Sequence, residues 1–329
     1  DSVKAWQLTE YGEPEDVLEL TDVPRPAPGA GQLLVRVLAA AANFPDVLQV
    51  RGTYQVRPPL PFTPGLELCG EVVEAGAGVT RFHAGDRVIG GVALPSGAFA
   101  DYAVMNEARA FPAPPELDDA EAAPFLVTYQ TGWFGLHRKA RLAPGETLLV
   151  HAAAGGVGSG AVQLGKAAGA RVIGVVGGAE KARLAARLGA DVVVDRYAED
   201  FVAVVKEVTE GRGADVVYDP VGGDSFRRST KCVAFEGRIV VVGFASGEIP
   251  SAALNHALVK NYDILGLHWG LYEQLKPAAV AECQAELTGL VAAGLIRPLI
   301  TERLPLADVP DGLRRLAAGG TTGRIVFQP

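Results

Sequence analysis

The sequence predicts an α/β protein in which a doubly wound parallel sheet is joined to a β-rich domain. Three patterns carry that expectation. In the middle of the chain, short β-branched runs start directly after a glycine that closes a helical stretch. The segments between those runs place apolar residues at helical spacing. The first third shows short, nearly alternating runs cut by Pro and Gly instead.

Taken in order, Gln32-Leu-Leu-Val-Arg-Val and Glu71-Val-Val-Glu read as strands, and prolines at 24–28, 58–64 and 112–115 mark loops between them. Leu148-Leu-Val-His is then an apolar strand, followed by a glycine cluster and a helical stretch through Lys166. Gly169-Ala-Arg precedes Val172-Ile-Gly-Val-Val, and Gly189-Ala-Asp precedes Val192-Val-Val. Gly213-Ala-Asp precedes Val216-Val-Tyr, and Gly237-Arg precedes Ile239-Val-Val-Val. Each of these four glycines is expected to end a helix, because glycine adopts the left-handed cap without strain. Between them, Leu184, Ala185 and Leu188 fall on one helical face. Strands apolar throughout suit a parallel sheet covered on both faces. Asp263-Ile-Leu-Gly-Leu is the last strand of that pattern, and a long helix follows over 277–293. The tail offers a strand near 299–304, a helix over 309–318 and the strand Arg324-Ile-Val-Phe. The expected division is therefore a β-rich domain over 1–124, completed by 296–329, and a nucleotide-binding domain over 125–295.

Composition bounds the function. A chain of 329 residues is long enough for two domains. Thirty Lys and Arg against 38 Asp and Glu leave a net charge of −8, which disfavours nucleic acid or an anionic membrane as main partner. The three cysteines, Cys69, Cys232 and Cys283, form no Cys-x-x-Cys and fit a reducing compartment. Asp1-Ser-Val-Lys-Ala-Trp lacks the apolar stretch of a signal peptide, and the uncharged run from Leu148 to Gly165 contains five glycines, His151, Ser159 and Gln163. A soluble, cytoplasmic protein is expected.

His151-Ala-Ala-Ala-Gly-Gly-Val-Gly-Ser-Gly follows a strand and opens a helix. Small residues there let the backbone approach a dinucleotide's diphosphate, and the helix N-terminus stabilises its charge. Ala153 stands in the place of the first glycine of the usual pattern. An acid at the end of the next strand would hold a ribose 2′-hydroxyl. Here that strand ends Val175-Val-Gly-Gly-Ala-Glu-Lys, so Gly177 leaves room for a 2′-phosphate, with Lys181 and Arg196 as its nearest cationic partners. NADPH is the expected cofactor.

These motifs also resemble a known family over almost the full length. Ala42-Asn-Phe-Pro-Asp, Pro64-Gly-Leu-Glu, Ala84-Gly-Asp-Arg-Val, Thr131-Gly-Trp, the glycine turn and Tyr218-Asp-Pro-Val-Gly are similar to those of the medium-chain dehydrogenase/reductase superfamily, in its zinc-free quinone oxidoreductase (zeta-crystallin-like) branch. The resemblance implies a GroES-like substrate domain, a Rossmann-type domain, a cleft between them and commonly a homodimer, with the 263–267 strand as the pairing edge. It implies that Ala154, Gly155, Gly156 and Val157 meet the diphosphate, and that Thr131, Gly243 and Phe244 lie at the nicotinamide. Asn43 and Tyr54 would face the substrate. His268 and Trp269 lie where the nicotinamide pocket of the family closes.

The chain departs from the alcohol dehydrogenase branch at its metal ligands. Asn43 stands for the catalytic cysteine, Leu66 for the histidine, and the four-cysteine loop is missing. Asp46 and Glu67 alone make a poor zinc site, so no metal is expected.

The implied activity is hydride transfer from NADPH to a small molecule, a quinone or another conjugated electrophile. Two alternatives stay open: an enoyl thioester or enone double-bond reductase, in which Tyr54 would matter as proton donor, and a non-catalytic nucleotide- or RNA-binding or structural protein. His151 is read as a hydrogen-bonded core histidine, His83 as a structural or solvated turn residue, and Cys69 and Cys232 as small buried hydrophobes. Arg227, Arg228, Arg314 and Arg315 are read as exposed helix faces.

Overall fold

The structure, a computed structural model, describes residues 1–319 and 321–329. The chain divides into two compact units, 1–126 with 298–329, and 127–297.

The first unit is built on a mixed sheet. Its strands are β1 (Ser2–Gln7), β2 (Glu19–Pro24), β3 (Gln32–Ala41), β4 (Glu67–Ala75), β5 (Arg87–Gly91), β6 (Tyr102–Asn106) and β7 (Ala110–Pro112). In the second unit follow β8 (Thr147–His151), β9 (Arg171–Val176), β10 (Val192–Asp195), β11 (Ala214–Asp219), β12 (Val233–Val241) and β13 (Asp263–Gly266). The tail returns to the first unit as β14 (Ile300–Pro305) and β15 (Arg324–Gln328). The main sheet there runs β14-β15-β3-β4-β5-β7, with β6 also on β3 and β1 paired separately with β2. β3 is the longest strand and is buried along most of its length, because β15, β4 and β6 all draw on its edges. Leu33, Val35 and Val37 enter one core with Phe62, Phe99 and Phe327.

The second unit is a six-stranded, fully parallel sheet in the order β10-β9-β8-β11-β12-β13. The direction of winding reverses between β8 and β11, and in such sheets ligands bind outside the carboxyl ends of the strands at that reversal. Three of the four glycines read as helix-ending take left-handed φ: Gly169 at 81°, Gly189 at 108° and Gly213 at 94°. Gly237 does not end a helix. It lies inside β12, where Glu236 has φ 59° and the pairing with β11 shifts between Ala214 and Val216. The irregularity splits one long strand, which the sequence pattern shows as a loop followed by a shorter strand.

Both ends of the second unit are fastened to one side chain. Gln163, on the helix Gly158–Ala167, accepts hydrogen bonds from the Tyr129 hydroxyl (2.6 Å) and the Arg297 backbone N–H (2.9 Å). Its amide N–H donates to the Arg297 carbonyl at 2.8 Å. Tyr129 and Arg297 stand within a few residues of where the chain enters and leaves the unit.

His151 ends β8 as a buried core residue, with its ring edge-on to Phe201 at 4.8 Å. Ser229 Oγ donates to the Ser225 carbonyl at 2.6 Å, so at 2.8 Å it must accept from His151 Nε2, which fixes that tautomer. Burial holds the His151 pKa down at about 4, against an ordinary value of 6.5. The unfolded chain binds this proton first as pH falls, so stability drops between these two values and levels off below. The loss expected from this group is about 3 kcal/mol. Urea unfolding near neutral pH and near pH 4 should show a larger loss for the wild type than for His151→Gln; equal losses would refute the assignment.

Candidate active site

The end of β8 leads into the glycine turn. Ala152 takes φ 49°, and the Gly155 N–H bonds back to its carbonyl at 2.9 Å, which curls the chain before the helix Gly158–Ala167 begins. Ala153 and Ala154 are buried under the turn, whereas Gly155, Gly156 and Val157 are half-buried. A Cβ on Gly158 would stand 2.1 Å from the Ala152 carbonyl oxygen, so only glycine closes this turn. The loop thus brings small residues and the first N–H groups of a helix to the carboxyl end of β8. That donor set fits a dinucleotide diphosphate.

At the end of the neighbouring strand β9, a Cβ on Gly177 would lie 3.1 Å from Arg196 Nε and 3.2 Å from the Tyr197 ring. The predicted pair Gly177 and Arg196 therefore meet. The Arg196 guanidinium lies 4.6 Å from the Tyr197 ring centre and donates to the Tyr197 hydroxyl at 3.0 Å. Asp195 ends β10 at this corner, and one of its oxygens accepts from Gly178 N (3.0 Å) and Tyr197 N (3.1 Å); Glu180 lies exposed in the first turn of the helix Ala179–Arg187. The Asp195 carboxylate shapes the turn. Lys181 lies in the first turn of the helix Ala179–Arg187. A glycine floor with an arginine over it fits a 2′-phosphate. Tyr197, 70% exposed, is a residue that the sequence reading missed; the signal was an Arg-Tyr pair directly after a strand-ending acid.

Thr131 sits in one ordinary turn between two wide helical turns, Leu126–Gln130 and Phe134–Lys139, an irregularity frequent at functional sites. It is buried, and its hydroxyl has no hydrogen-bond partner among the described residues. Gly243, Phe244 and His268 come together on the wall of a cavity of about 540 Å³, which Leu271 and Tyr272 also line. Trp269 is placed differently. Its indole N–H donates to Gln130 Oε1 at 3.0 Å, and Gln130 in turn donates to Gln284 at 2.9 Å, so Trp269 anchors its helix.

In the first unit, Asn43 starts the helix Phe44–Arg51. Its amide Nδ2 donates to Glu67 Oε1 at 3.1 Å, and its Oδ1 accepts from Arg324 at 3.0 Å. Asp46 reaches back to the Asn43 N–H at 2.7 Å and accepts the Leu66 N–H at 3.1 Å. All four side chains are buried. Burial drives the Asp46 pKa up to about 7 despite those two backbone donors, with Glu67 adding to the rise and Arg324 opposing it. Arg324 was not foreseen as a site residue. Tyr54 is half-buried, and burial first, then the Asp46 charge, raises its pKa above the usual phenol value, while Arg109 opposes.

The remaining candidates lie outside these clusters. His83 is exposed near Asp86, and burial pushes the Cys69 and Cys232 thiols up to about 12. Arg227 pairs with Asp224 and Glu248, Arg228 with Asp200, and Arg314 with Asp311, while Arg315 holds Glu302. No helix among the described residues is long and apolar enough to cross a membrane.

Residues 29–115 match the alcohol dehydrogenase GroES-like domain family, and residues 156–285 match the zinc-binding dehydrogenase family. The donor set does not fit the metal named in the second description. Asp46 is committed to two backbone N–H groups, Glu67 to Asn43, and Arg324 brings a guanidinium within 4.0 Å of Glu67. Among the described residues, no three of His, Cys, Asp and Glu gather as a metal site. The chain is 37% identical over 331 residues to a quinone oxidoreductase-like protein 2 homolog of Nematostella vectensis, covering 99% of this chain and 89% of that one. It is 38% identical to a quinone oxidoreductase of Pseudomonas aeruginosa, with 99% of both covered. The solved structure of mycobacterial Rv1454c complexed with NADPH superposes with a TM-score of 0.90 at 33% identity, over 99% of this chain and 100% of that one. With its family domains, its full-length relatives and its missing zinc ligands, the chain belongs to the zinc-free quinone oxidoreductase type of the medium-chain dehydrogenase/reductase superfamily.

Proposed function

We propose that the chain is an NADPH-dependent, zinc-free oxidoreductase of the cytoplasm that delivers hydride to a quinone. The observation that carries this reading is its likeness to quinone oxidoreductases along the whole chain. Three free, buried cysteines agree with a reducing compartment.

NADPH, when bound, supplies the hydride. The backbone N–H groups of 156 and 157 and the first turn of the following helix would hold its diphosphate, beside Gly155 and over Ala154. Arg196 and Lys181 meet the 2′-phosphate at the Gly177 floor, and the exposed Tyr197 ring offers the adenine a flat apolar face. Thr131, with the backbone of Gly243 and Phe244 and the ring of His268, orients the nicotinamide end; Trp269 supports that wall through Gln130. Asn43 donates an N–H to the acceptor oxygen as negative charge develops there, the role a metal has in the zinc enzymes. Tyr54 keeps its proton at neutral pH, because burial and Asp46 disfavour the phenolate.

A quinone can take its proton from water after the hydride arrives. An enone or enoyl thioester needs one delivered beside the α-carbon, and Tyr54 is the acid we assign to that second reading. We also propose a homodimer. β13 is a sheet edge, and the adjoining helix Leu254–Lys260 exposes Leu254, Leu258 and Val259 by 73–77%, an apolar face that asks for a cover.

NADPH oxidation by the purified protein, measured against an ortho-quinone, a para-quinone, an enone and an enoyl thioester, tests the reading: quinone turnover is expected, and its absence with all quinones would overturn it. Arg196→Ala should raise the KM for NADPH about tenfold, the worth of one hydrogen bond to a charged group, and leave the KM for NADH unchanged. Tyr54→Phe should leave quinone turnover intact and lower enone turnover by about tenfold or more, as loss of a general acid does. Light scattering should give a dimer for the wild type and a monomer for Leu258→Glu.

A further inference from the structure

Asn43, Glu67 and Arg324 are far apart in sequence and meet because their strands are neighbours. β15 pairs with β3 so that Val326 faces Ala41, and β3 pairs with β4 so that Ala40 faces Leu68. The three residues therefore fall at one end of three adjacent strands. Asn43 is 5% exposed, Glu67 1% and Arg324 7%, so their partners come chiefly from within the protein.

An asparagine amide has two ends of equal shape and opposite polarity. Here each end faces a full charge: the N–H side faces the Glu67 carboxylate and the carbonyl side faces the Arg324 guanidinium. Turning the amide over would set oxygen against carboxylate and N–H against guanidinium, losing two charge-assisted bonds and gaining two repulsions. The Asn43 backbone is held as well, by Asp46. We propose that Arg324 and Glu67 are positioning residues that lock the Asn43 amide in one orientation, leaving the second N–H of Nδ2 as the donor to the acceptor oxygen. The proposal rests on the donor role given to Asn43 above.

A double-mutant cycle on the full-length enzyme tests it. Glu67→Gln keeps the shape but presents an amide that accepts either orientation of Asn43. With NADPH and a para-quinone, Glu67→Gln should lower kcat about tenfold or more, at the low end of what a lost oxyanion donor costs. The KM for NADPH should change less than about twofold, and in an Asn43→Ala background Glu67→Gln should cost less than about twofold in kcat. Arg324→Lys should retain more turnover than Arg324→Met. An equal loss in both backgrounds would overturn the proposal alone, since Glu67 would then act otherwise than through Asn43. An unchanged kcat for Asn43→Ala would overturn the proposal together with the donor role. Should Glu67→Gln fail to fold, Arg324→Lys in the same two backgrounds reads the same coupling.

Discussion

A carboxylate and a guanidinium buried at the end of one sheet must find their partners inside the protein, and this constraint organises the first unit. Glu67 opens β4 and Arg324 opens β15, with Asn43 between them just beyond β3. Removing either charge takes a buried ionic partner from the other, a change more costly than the pair itself is stabilising. The tail must therefore come back from the second unit and take its place beside β3. Phe327 follows it into the core, edge-on to Phe99 at 5.5 Å, so the same strand that brings the charge also fills the apolar interior. Chain topology, core packing and the polar cluster are satisfied by one segment.

In the second unit the equivalent constraint is backbone proximity. Parallel strands bring the glycine turn after β8 beside the corner after β9; a Cβ on Gly158 would strike the Ala152 carbonyl, and one on Gly177 would crowd the Arg196 and Tyr197 side chains. Asp195 then has a different use from that of an acid reading a ribose. One oxygen of its carboxylate is taken by two backbone N–H groups, and beside it the corner presents a guanidinium and an aromatic ring.

Much of this was legible from local pattern. The strand-turn-helix at 148–166 and the missing acid at Gly177 depend on neighbours in sequence, and the structure has them where the pattern put them. Gly237 misled because a bulged strand with a glycine inside it resembles a helix end followed by a strand. Arg324 was invisible for a different reason. In Arg324-Ile-Val-Phe it looks like an ordinary exposed strand start, and its partner Asn43 is 281 residues away. Side-chain pairs between strands are set by register, which no period in the sequence carries. Tyr197 escaped because an exposed aromatic has meaning only once Arg196 is seen to lie on it.

Gln163 has an architectural consequence. Because one side chain bonds both Tyr129 and Arg297, the two ends of the second unit lie side by side. In chain order the unit is an insertion: residues 127–297 interrupt the first unit, and the two ends of the interruption are held together. Such an insertion can be exchanged, duplicated or excised without stretching its host, since the host sees only two adjacent chain ends. The clasp that keeps them adjacent is carried on the helix whose first turn shapes the glycine loop.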